Sequence, residues 1–103
     1  MRSLEDIVRL SARWFSRIPE GFRAEALELA VEIARSHSPS SAFDRAVPLL
    51  YSRLPDVETF RFASGGGVVG LAFSKLARWL AVARRDYGEG GMEEVVRALE
   101  AML

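Results

Sequence analysis

The sequence predicts an all-α fold, a compact bundle of about five helices that forms a single domain over residues 1–103. Three observations support this prediction. Apolar residues recur every three or four positions over most of the chain, which is the period of an amphipathic helix. Clusters of proline, glycine and serine divide these stretches. Half of the residues are apolar, which is enough to form one core in a chain of this length.

The first predicted helix begins at Ser3, a residue type that favours the N-cap, and it stops before Pro19 and Gly21. Its apolar face follows helical spacing and comprises Leu4, Ile7, Val8, Ser11, Trp14, Phe15 and Ile18. Both tryptophans of the chain, Trp14 and Trp79, fall on apolar faces. We therefore expect them to pack against the core rather than to stack on bases.

A second helix is predicted from about Phe22 to Arg35. Beside its apolar strip lies an acidic strip of Glu25, Glu28 and Glu32. The acidic strip is either a solvated face or a docking surface for a basic neighbour. The stretch from His37 to Ser41 is rich in serine and proline, so it predicts a loop in which the histidine is solvated.

A third helix is predicted from Ser41, which pairs with Asp44 as a cap, to Leu54. Pro48 lies inside this helix. Because proline lacks an N–H and crowds the preceding turn, we expect a kink or a restart of the helix there.

The segment after a turn at Pro55–Asp56 is ambiguous. Phe60 and Phe62 have strand spacing, but residues 57–63 are few and no partner strand is evident. They predict either a short extended segment or a loop that places aromatic residues under the core.

The longest and most apolar helix is predicted from Val68 to about Tyr87, and we expect the other helices to pack against it. Glycines at positions 88, 90 and 91 should end it, and a last helix is predicted from about Met92 to Leu103. The apolar run contains charged residues and is shorter than the roughly 20 residues that a membrane span needs. We therefore expect a core helix and no membrane partner.

The charges balance, with 14 basic and 14 acidic residues, so nucleic-acid binding would need a local basic patch. The chain has no cysteine, which excludes disulfides, cysteine-based zinc sites and thiol nucleophiles and fits a reducing cytoplasm. It has a single histidine, and no acid–base pair, metal set or activated nucleophile stands out. We expect no enzyme activity, no cofactor and no metal site.

Gly65, Gly67 and Gly70 match the spacing of the dinucleotide-binding glycine fingerprint. That fingerprint also requires a strand before the glycines and a second parallel strand, and the sequence predicts no second strand. The glycines therefore indicate a turn rather than a nucleotide site. An alternative is that the free N–H groups at the start of the long helix hold a phosphate of a nucleic-acid backbone.

Two groups of cations are candidates for nucleic-acid binding. The first basic strip lies on the first helix opposite its apolar face, beside Arg2 and Asp6, and consists of Arg9, Arg13 and Arg17. The second basic strip lies on the polar side of the long helix and consists of Lys75, Arg78 and Arg85. Cations about one turn apart suit a phosphate backbone or an acidic partner, and they also suit a solvated face. The sequence does not show whether the two strips meet.

From residue 51 onward, several features follow one another in a recognisable order. They are Tyr51, Leu54-Pro55, the glycine stretch ending at Gly70, and Leu71-Ala72-Phe73-Ser74-Lys75. This order resembles the small helical subunits of CRISPR interference complexes, from archaeal type I-A Cascade and the related type III complexes. In the type III members a Leu-Pro turn precedes a Gly-Leu-x-x-x-Leu-Ala-Phe helix start, which is compressed here to Gly70-Leu71-Ala72-Phe73.

The resemblance implies a non-catalytic, all-helical subunit of a ribonucleoprotein effector complex in antiviral defence. Such subunits pack against the backbone proteins of the complex and against further copies of themselves. They help to hold crRNA-paired target or the displaced strand, independently of its sequence. The family has no shared catalytic motif, so the candidate site residues remain the two basic strips.

Two other functions also fit the sequence. The broad apolar surfaces and the acidic strip suit a helical protein–protein interaction module or homo-oligomer that does not bind nucleic acid. A helix-turn-helix regulator built from the second and third helices ranks last. Its loop, His37–Ser41, is long for that motif, and the third helix has few side chains suited to reading bases.

Overall fold

The computed structural model describes residues 1–54 and 68–103, and every regular element in these two ranges is helical. The helices are α1 (Leu4–Phe15), α2 (Arg23–Ser36), α3 (Pro39–Arg53) and α4 (Val68–Glu100), with a 3-10 turn at Glu20–Phe22 before α2. The all-α prediction is confirmed for these residues. The predicted turn at Pro55–Asp56, the ambiguous segment at 57–63 and the glycines at 65–67 lie outside the described residues.

α4 is the centre of the fold, because α1, α2 and α3 each pack against it. It buries Phe73, Leu76 and Leu80 before residue 88 and Met92, Val95 and Leu99 after it. The largest fully buried side chains of the other helices and of the turn after α1 are Ile7, Phe15, Ile18, Ile33 and Leu50. The prediction that the long apolar helix is the packing partner of the other helices is therefore confirmed.

α1 begins as predicted. The hydroxyl of Ser3 accepts a hydrogen bond from the N–H of Asp6 at 3.1 Å. At the other end, the guanidinium of Arg23 donates to the carbonyl oxygens of Ser16 and Ile18, at 2.9 and 2.8 Å. These bonds occupy carbonyl groups near the end of α1 and fix the turn that leads to α2.

α3 begins earlier than predicted. Pro39 occupies its first turn, where the fixed φ of proline suits a helix and its missing N–H removes no helical hydrogen bond. The predicted cap formed by Ser41 and Asp44 is therefore wrong. The restart expected at Pro48 does not occur either, because the helix continues through this residue to Arg53.

The connection between α2 and α3 is only His37 and Ser38, shorter than the predicted loop. His37 was predicted to be solvated, but it is half-buried at the C-cap of α2, with its Nδ1 2.9 Å from the carbonyl oxygen of Ile33. Loop length therefore no longer argues against a helix-turn-helix motif. The few base-reading side chains on α3 remain the argument against it.

α4 contains both the fourth and the fifth predicted helices, so the described residues form four helices rather than about five. Within α4, Gly88 alone has non-helical angles, with φ of 76° and ψ of −175°, and the helix resumes directly after it. These angles are accessible to glycine and strained for other residues. A Cβ atom at Gly91 would collide with the side chain of Tyr87. The predicted end of the helix is therefore a kink at Gly88.

α4 is not apolar on all sides, because it carries charged residues on its outer face. Lys75 is half-buried and Arg78 is exposed, one turn apart on the same side of the helix. In residues 1–54 and 68–103, no helix has both the length and the apolarity to cross a membrane.

Candidate nucleic-acid interface

The first basic strip follows the solvent face of α1 and the turn behind it, as its spacing predicted. Arg9, Arg13 and Arg17 are all exposed. Arg9 and Arg13 border a shallow depression of about 250 Å³, together with Arg2 and Asp6. Arg9 donates a hydrogen bond to Asp6 and thereby holds the pKa of this carboxyl below its ordinary value. The charge of Arg9 is thus compensated locally.

Arg17 lies over the aromatic ring of Trp14, with its guanidinium carbon 5.1 Å from the ring centroid. Trp14 packs against the core and is half-buried, so part of its ring stays accessible to a cation. The negative face of the ring attracts the guanidinium. The turn that Arg23 fixes carries Arg17, so the backbone and the ring together constrain the position of this cation.

Lys75 joins the two basic strips. Its Nζ lies between two rings, 5.9 Å from the centroid of Trp14 on α1 and 5.6 Å from the centroid of Phe43 on α3. Arg78 lies one turn further along α4, with its guanidinium carbon 6.0 Å from the same Phe43 ring. Arg17, Lys75 and Arg78 therefore form one surface with these two rings. We call it the cation–aromatic surface.

The three cations of this surface keep their charge available. None of them has an acidic partner within 4.0 Å in the described ranges, 1–54 and 68–103. An aromatic ring orients a cation without cancelling its charge. Because Arg17 and Arg78 are exposed and Lys75 is half-buried, an anion can approach them from solvent. This arrangement meets the electrostatic requirement for contact with a phosphate backbone.

Arg85, the third member of the second basic strip, is paired instead. It donates to both oxygens of Asp86, at 2.9 and 3.2 Å, and holds the pKa of that carboxyl below its ordinary value. Arg85 nevertheless borders, with Arg78, a depression of about 490 Å³ around the half-buried ring of Trp79. The guanidinium carbon of Arg2 lies 5.4 Å from the centroid of that ring. This Trp79 depression is lined by Met1, Arg2, Pro39, Arg78, Trp79, Val82, Arg85 and Asp86.

The acidic strip of α2 belongs to a different surface. Glu28 and Glu32 border a groove of about 590 Å³ between α2 and the end of α4. Glu32 also accepts hydrogen bonds from both terminal nitrogens of Arg53, at 3.1 and 3.3 Å. The strip is thus partly neutralised by an arginine that was not predicted to reach it.

A second set of ion pairs lies where α2 meets the kink of α4. Glu89 accepts hydrogen bonds from Arg35 at 2.6 Å and from Arg84 at 3.0 Å. These two arginines hold the pKa of Glu89 below its ordinary value. Arg35 also lies 3.9 Å from the carboxylate of Glu93. In this part of the molecule, the cations are therefore shared among carboxylates.

The residues that carry the resemblance lie at the end of α3 and in the first turns of α4, as far as the structure describes them. Gly70 is buried and faces α3, where a Cβ atom would lie 3.4 Å from Val47, an ordinary van der Waals contact. Lys75, the last resembling residue, belongs to the cation–aromatic surface. Pro55 and the glycines at 65–67 lie outside the described residues.

The described residues were also compared with the requirements of a metal site. Among the described residues, no group of three or more acidic, histidine or cysteine side chains is placed to hold a metal ion. Comparison of the chain with protein-family models, with curated proteins and with solved structures finds no match.

Sequence reasoning identified the cations of this interface and missed their aromatic partners. The prediction that Trp14 and Trp79 pack against the core is confirmed, but both rings also stay half-buried beneath cations. Phe43 has the helical spacing of a core residue, and nothing in that spacing shows that it lies at the border of the core. An aromatic residue at the edge of an apolar stripe, one turn from a cation as Trp14 is from Arg17, was the signal that could have found this surface.

Proposed function

We propose that this chain is a non-catalytic helical subunit that binds the backbone of nucleic acid, and that it does so in a CRISPR ribonucleoprotein effector complex in the cytoplasm. The observation that carries the binding role is the meeting of Arg17, Lys75 and Arg78 around two rings, with no acidic partner in the described ranges. Membership of the complex rests on the resemblance of residues 51–75 to its small subunits.

Backbone binding fits these side chains better than base reading. Cations that contact phosphates release counterions, which supplies affinity independently of base sequence. The chain as a whole is neutral, so this attraction is local to the cation–aromatic surface. A subunit that holds strands of varying sequence needs this kind of contact.

The test compares two variants that each lose three positive charges from the neutral chain. The first replaces the cations of the surface by alanine, as Arg17→Ala, Lys75→Ala and Arg78→Ala. The matched control replaces three exposed arginines elsewhere, as Arg45→Ala, Arg53→Ala and Arg97→Ala. Affinity for a fluorescein-labelled oligonucleotide is measured by anisotropy over a series of salt concentrations.

We expect the surface variant to lose about tenfold or more in affinity at low salt, and its plot of log affinity against log salt to become less steep by about 2 to 3. The control variant should retain most of the affinity and most of the salt dependence. Equal losses in the two variants would assign the effect to overall charge. Unchanged binding by the surface variant would contradict the proposal.

Membership of the complex is tested separately. The chain is recovered from native lysate, and the proteins and nucleic acids that accompany it are identified by mass spectrometry and sequencing. We expect CRISPR backbone proteins and short repeat-derived RNA. Recovery of one protein partner without nucleic acid would contradict the assignment.

The groove beside α2 favours a second candidate, a protein interaction module or homo-oligomer. Its apolar lining includes Val31, Val96 and Leu103, and Glu28 and Glu100 border it. The acidic rim suits a basic neighbour, which includes the first basic strip of a second copy, and the apolar lining suits an apolar side chain beside it. Light scattering should then show mass that rises with protein concentration and falls with salt. A monomer at all concentrations would exclude the homo-oligomer.

A further inference from the structure

The cation–aromatic surface adjoins the Trp79 depression, because Arg78 belongs to both. We call the two together the groove. α4 forms its floor from Lys75 to Arg85, a distance of about 15 Å at the rise of an α-helix. On one side, Trp14 and the segment before α1 approach this floor, since Trp14 meets Lys75 and Arg2 meets Trp79. On the other side, α3 contributes Phe43 and Pro39.

We infer that this groove binds an unpaired strand of nucleic acid and holds one of its bases against the ring of Trp79, beside Arg2. The inference rests on the proposed function and specifies its ligand. Two features carry it: the accessible ring of Trp79 in its depression, and the Arg2 side chain beside that ring, whose backbone is held by a hydrogen bond.

The ring of Trp79 decides between one strand and two. Arg17, Lys75 and Arg78 can contact the phosphates of either form, because their charge is not shared with a carboxylate in the described ranges. Stacking on the ring requires a base that is not held in a base pair, so only an unpaired strand can use both parts of the groove.

The face of Trp79 is accessible from this groove. The ring lies in a depression of about 490 Å³, within the range of about 300 to 1,000 Å³ that small-molecule sites occupy. The guanidinium of Arg2 already lies over the ring, which shows that a group from solvent can reach it. A base released from pairing stacks on such a ring and also on a guanidinium plane.

Arg2 is held at this place by its backbone. The hydroxyl of Tyr87 donates a hydrogen bond to the carbonyl oxygen of Arg2 at 2.7 Å. The side chain of Arg2 has no acidic partner within 4.0 Å among the described residues, so it is free to move aside and contact either face of an entering base or an adjacent phosphate. Arg78 and Lys75 then follow along the floor for the neighbouring phosphates.

The experiment compares a fluorescein-labelled strand of mixed sequence with the same strand annealed to its complement, in DNA and in RNA form. The full chain is titrated into each probe, and anisotropy gives the affinity. Three variants are compared with the unchanged chain: Trp79→Leu removes the ring, Trp79→Phe restores one, and Arg97→Ala serves as a control outside the groove.

We expect the single strand to bind about tenfold or more tightly than the duplex. Trp79→Leu should weaken single-strand binding by about fivefold or more and leave duplex binding unchanged, because only an unpaired base can reach the ring. Trp79→Phe should recover most of the lost affinity, and Arg97→Ala should leave both affinities as they are.

A second readout does not depend on removing Trp79. The chain has two tryptophans, so Trp14→Phe leaves Trp79 as the only one. Its fluorescence should be quenched when the single strand binds and not when the duplex binds. Arg2→Ala, which changes only an exposed side chain, should weaken single-strand binding without affecting the fold.

The possible failures are distinguishable. If the duplex binds as tightly as the single strand, and Trp79 fluorescence responds to neither probe, the inference is overturned and the proposed backbone binding stands. If neither probe binds at low salt, the proposed function fails and the inference with it.

Discussion

Arginine serves two different purposes in two regions of this molecule. On the cation–aromatic surface, Arg17 and Arg78 lie over aromatic rings. Beside α2, Arg35 and Arg53 donate hydrogen bonds to carboxylates. All four side chains are exposed, so their solvent exposure does not separate the two groups. What differs is the kind of neighbour on which the guanidinium rests.

The two kinds of neighbour differ in how much positive charge they leave available on the arginine. A carboxylate neutralises the cation that it binds, whereas a ring orients a cation and leaves its charge whole. Exposed ion pairs contribute little to folding stability, and they withdraw their cations from other anions. A neutral chain can therefore present free positive charge where cations rest on rings rather than on carboxylates, as Arg17, Lys75 and Arg78 do.

The largest change in folding stability should come from a substitution at the kink of α4, which lies in sequence between the Trp79 depression and the ion pairs of Glu89. Gly88→Ala places a Cβ atom on a residue with φ of 76° and ψ of −175°, which should destabilise the fold by about 1 to 3 kcal/mol. Gly90→Ala is the matched control, since a Cβ atom there meets nothing within 4 Å and the residue is exposed. Urea denaturation of both variants measures the difference. If Gly88→Ala and Gly90→Ala were equally stable, a Cβ atom at residue 88 would cause no backbone strain.

A buried hydroxyl on α1 offers the next test, because a buried polar group without a hydrogen-bond partner costs stability. Ser11 is fully buried in α1, and its hydroxyl has no hydrogen-bond partner among the described residues. Ser11→Ala should stabilise the chain by about 1 kcal/mol, since it removes an unsatisfied group. Ser36→Ala, in the exposed last turn of α2, removes a hydroxyl that donates to the Glu32 carbonyl. Thermal unfolding should show an increase for the first variant only, and a decrease for it would mean that Ser11 is satisfied.

The contribution of the rings is tested by Phe43→Leu, which removes the ring shared by Lys75 and Arg78. Cation–π attraction at such sites is worth about 0.5 to 1 kcal/mol, so nucleic-acid affinity should fall by roughly two- to fivefold. The salt dependence should not change, because no charge is removed. Phe43→Tyr keeps a ring and should bind normally. A change in salt dependence for Phe43→Leu would mean that the cations themselves had moved out of contact.

The carboxylate region should respond to acid, with a small effect. Arg35 and Arg84 hold the pKa of Glu89 below its ordinary value, so the folded state is favoured while this group is ionised. That contribution is fully present above the unfolded-state pKa and is lost as pH falls through the lower folded-state pKa. Glu89→Gln should therefore be less stable than the unchanged chain at neutral pH and equal to it in strong acid. Denaturation midpoints over this pH range measure the convergence, and a constant difference would exclude the ion pairs as its cause.

The helices were predictable because apolar period and caps are local properties. The predicted apolar face of α1 is the face that packs, with Ile7, Ser11, Phe15 and Ile18 buried. The start of α3 was mistaken because serines at three nearby positions could all cap a helix, and Pro39 decides among them. Three glycines close together predict the end of a helix, whereas in α4 only Gly88 has non-helical angles and the result is a kink.

The cation–aromatic surface was only half predictable. The cations follow from helical spacing, but their meeting depends on contacts between residues far apart in the chain, such as Trp14 with Lys75. Periodicity places each residue on a face of its own helix and does not place two helices side by side. The same limit applies to the ion pair of Arg53 with Glu32, which joins α3 to α2.

Met1 and Leu103 lie on two different candidate surfaces. Met1 lines the Trp79 depression, and Leu103 lines the groove beside α2. A bulky dye at residue 1 would therefore compete with a strand at the Trp79 depression, whereas one at residue 103 would compete with a protein partner. Paired preparations, labelled at one residue or the other, would report on the two surfaces separately.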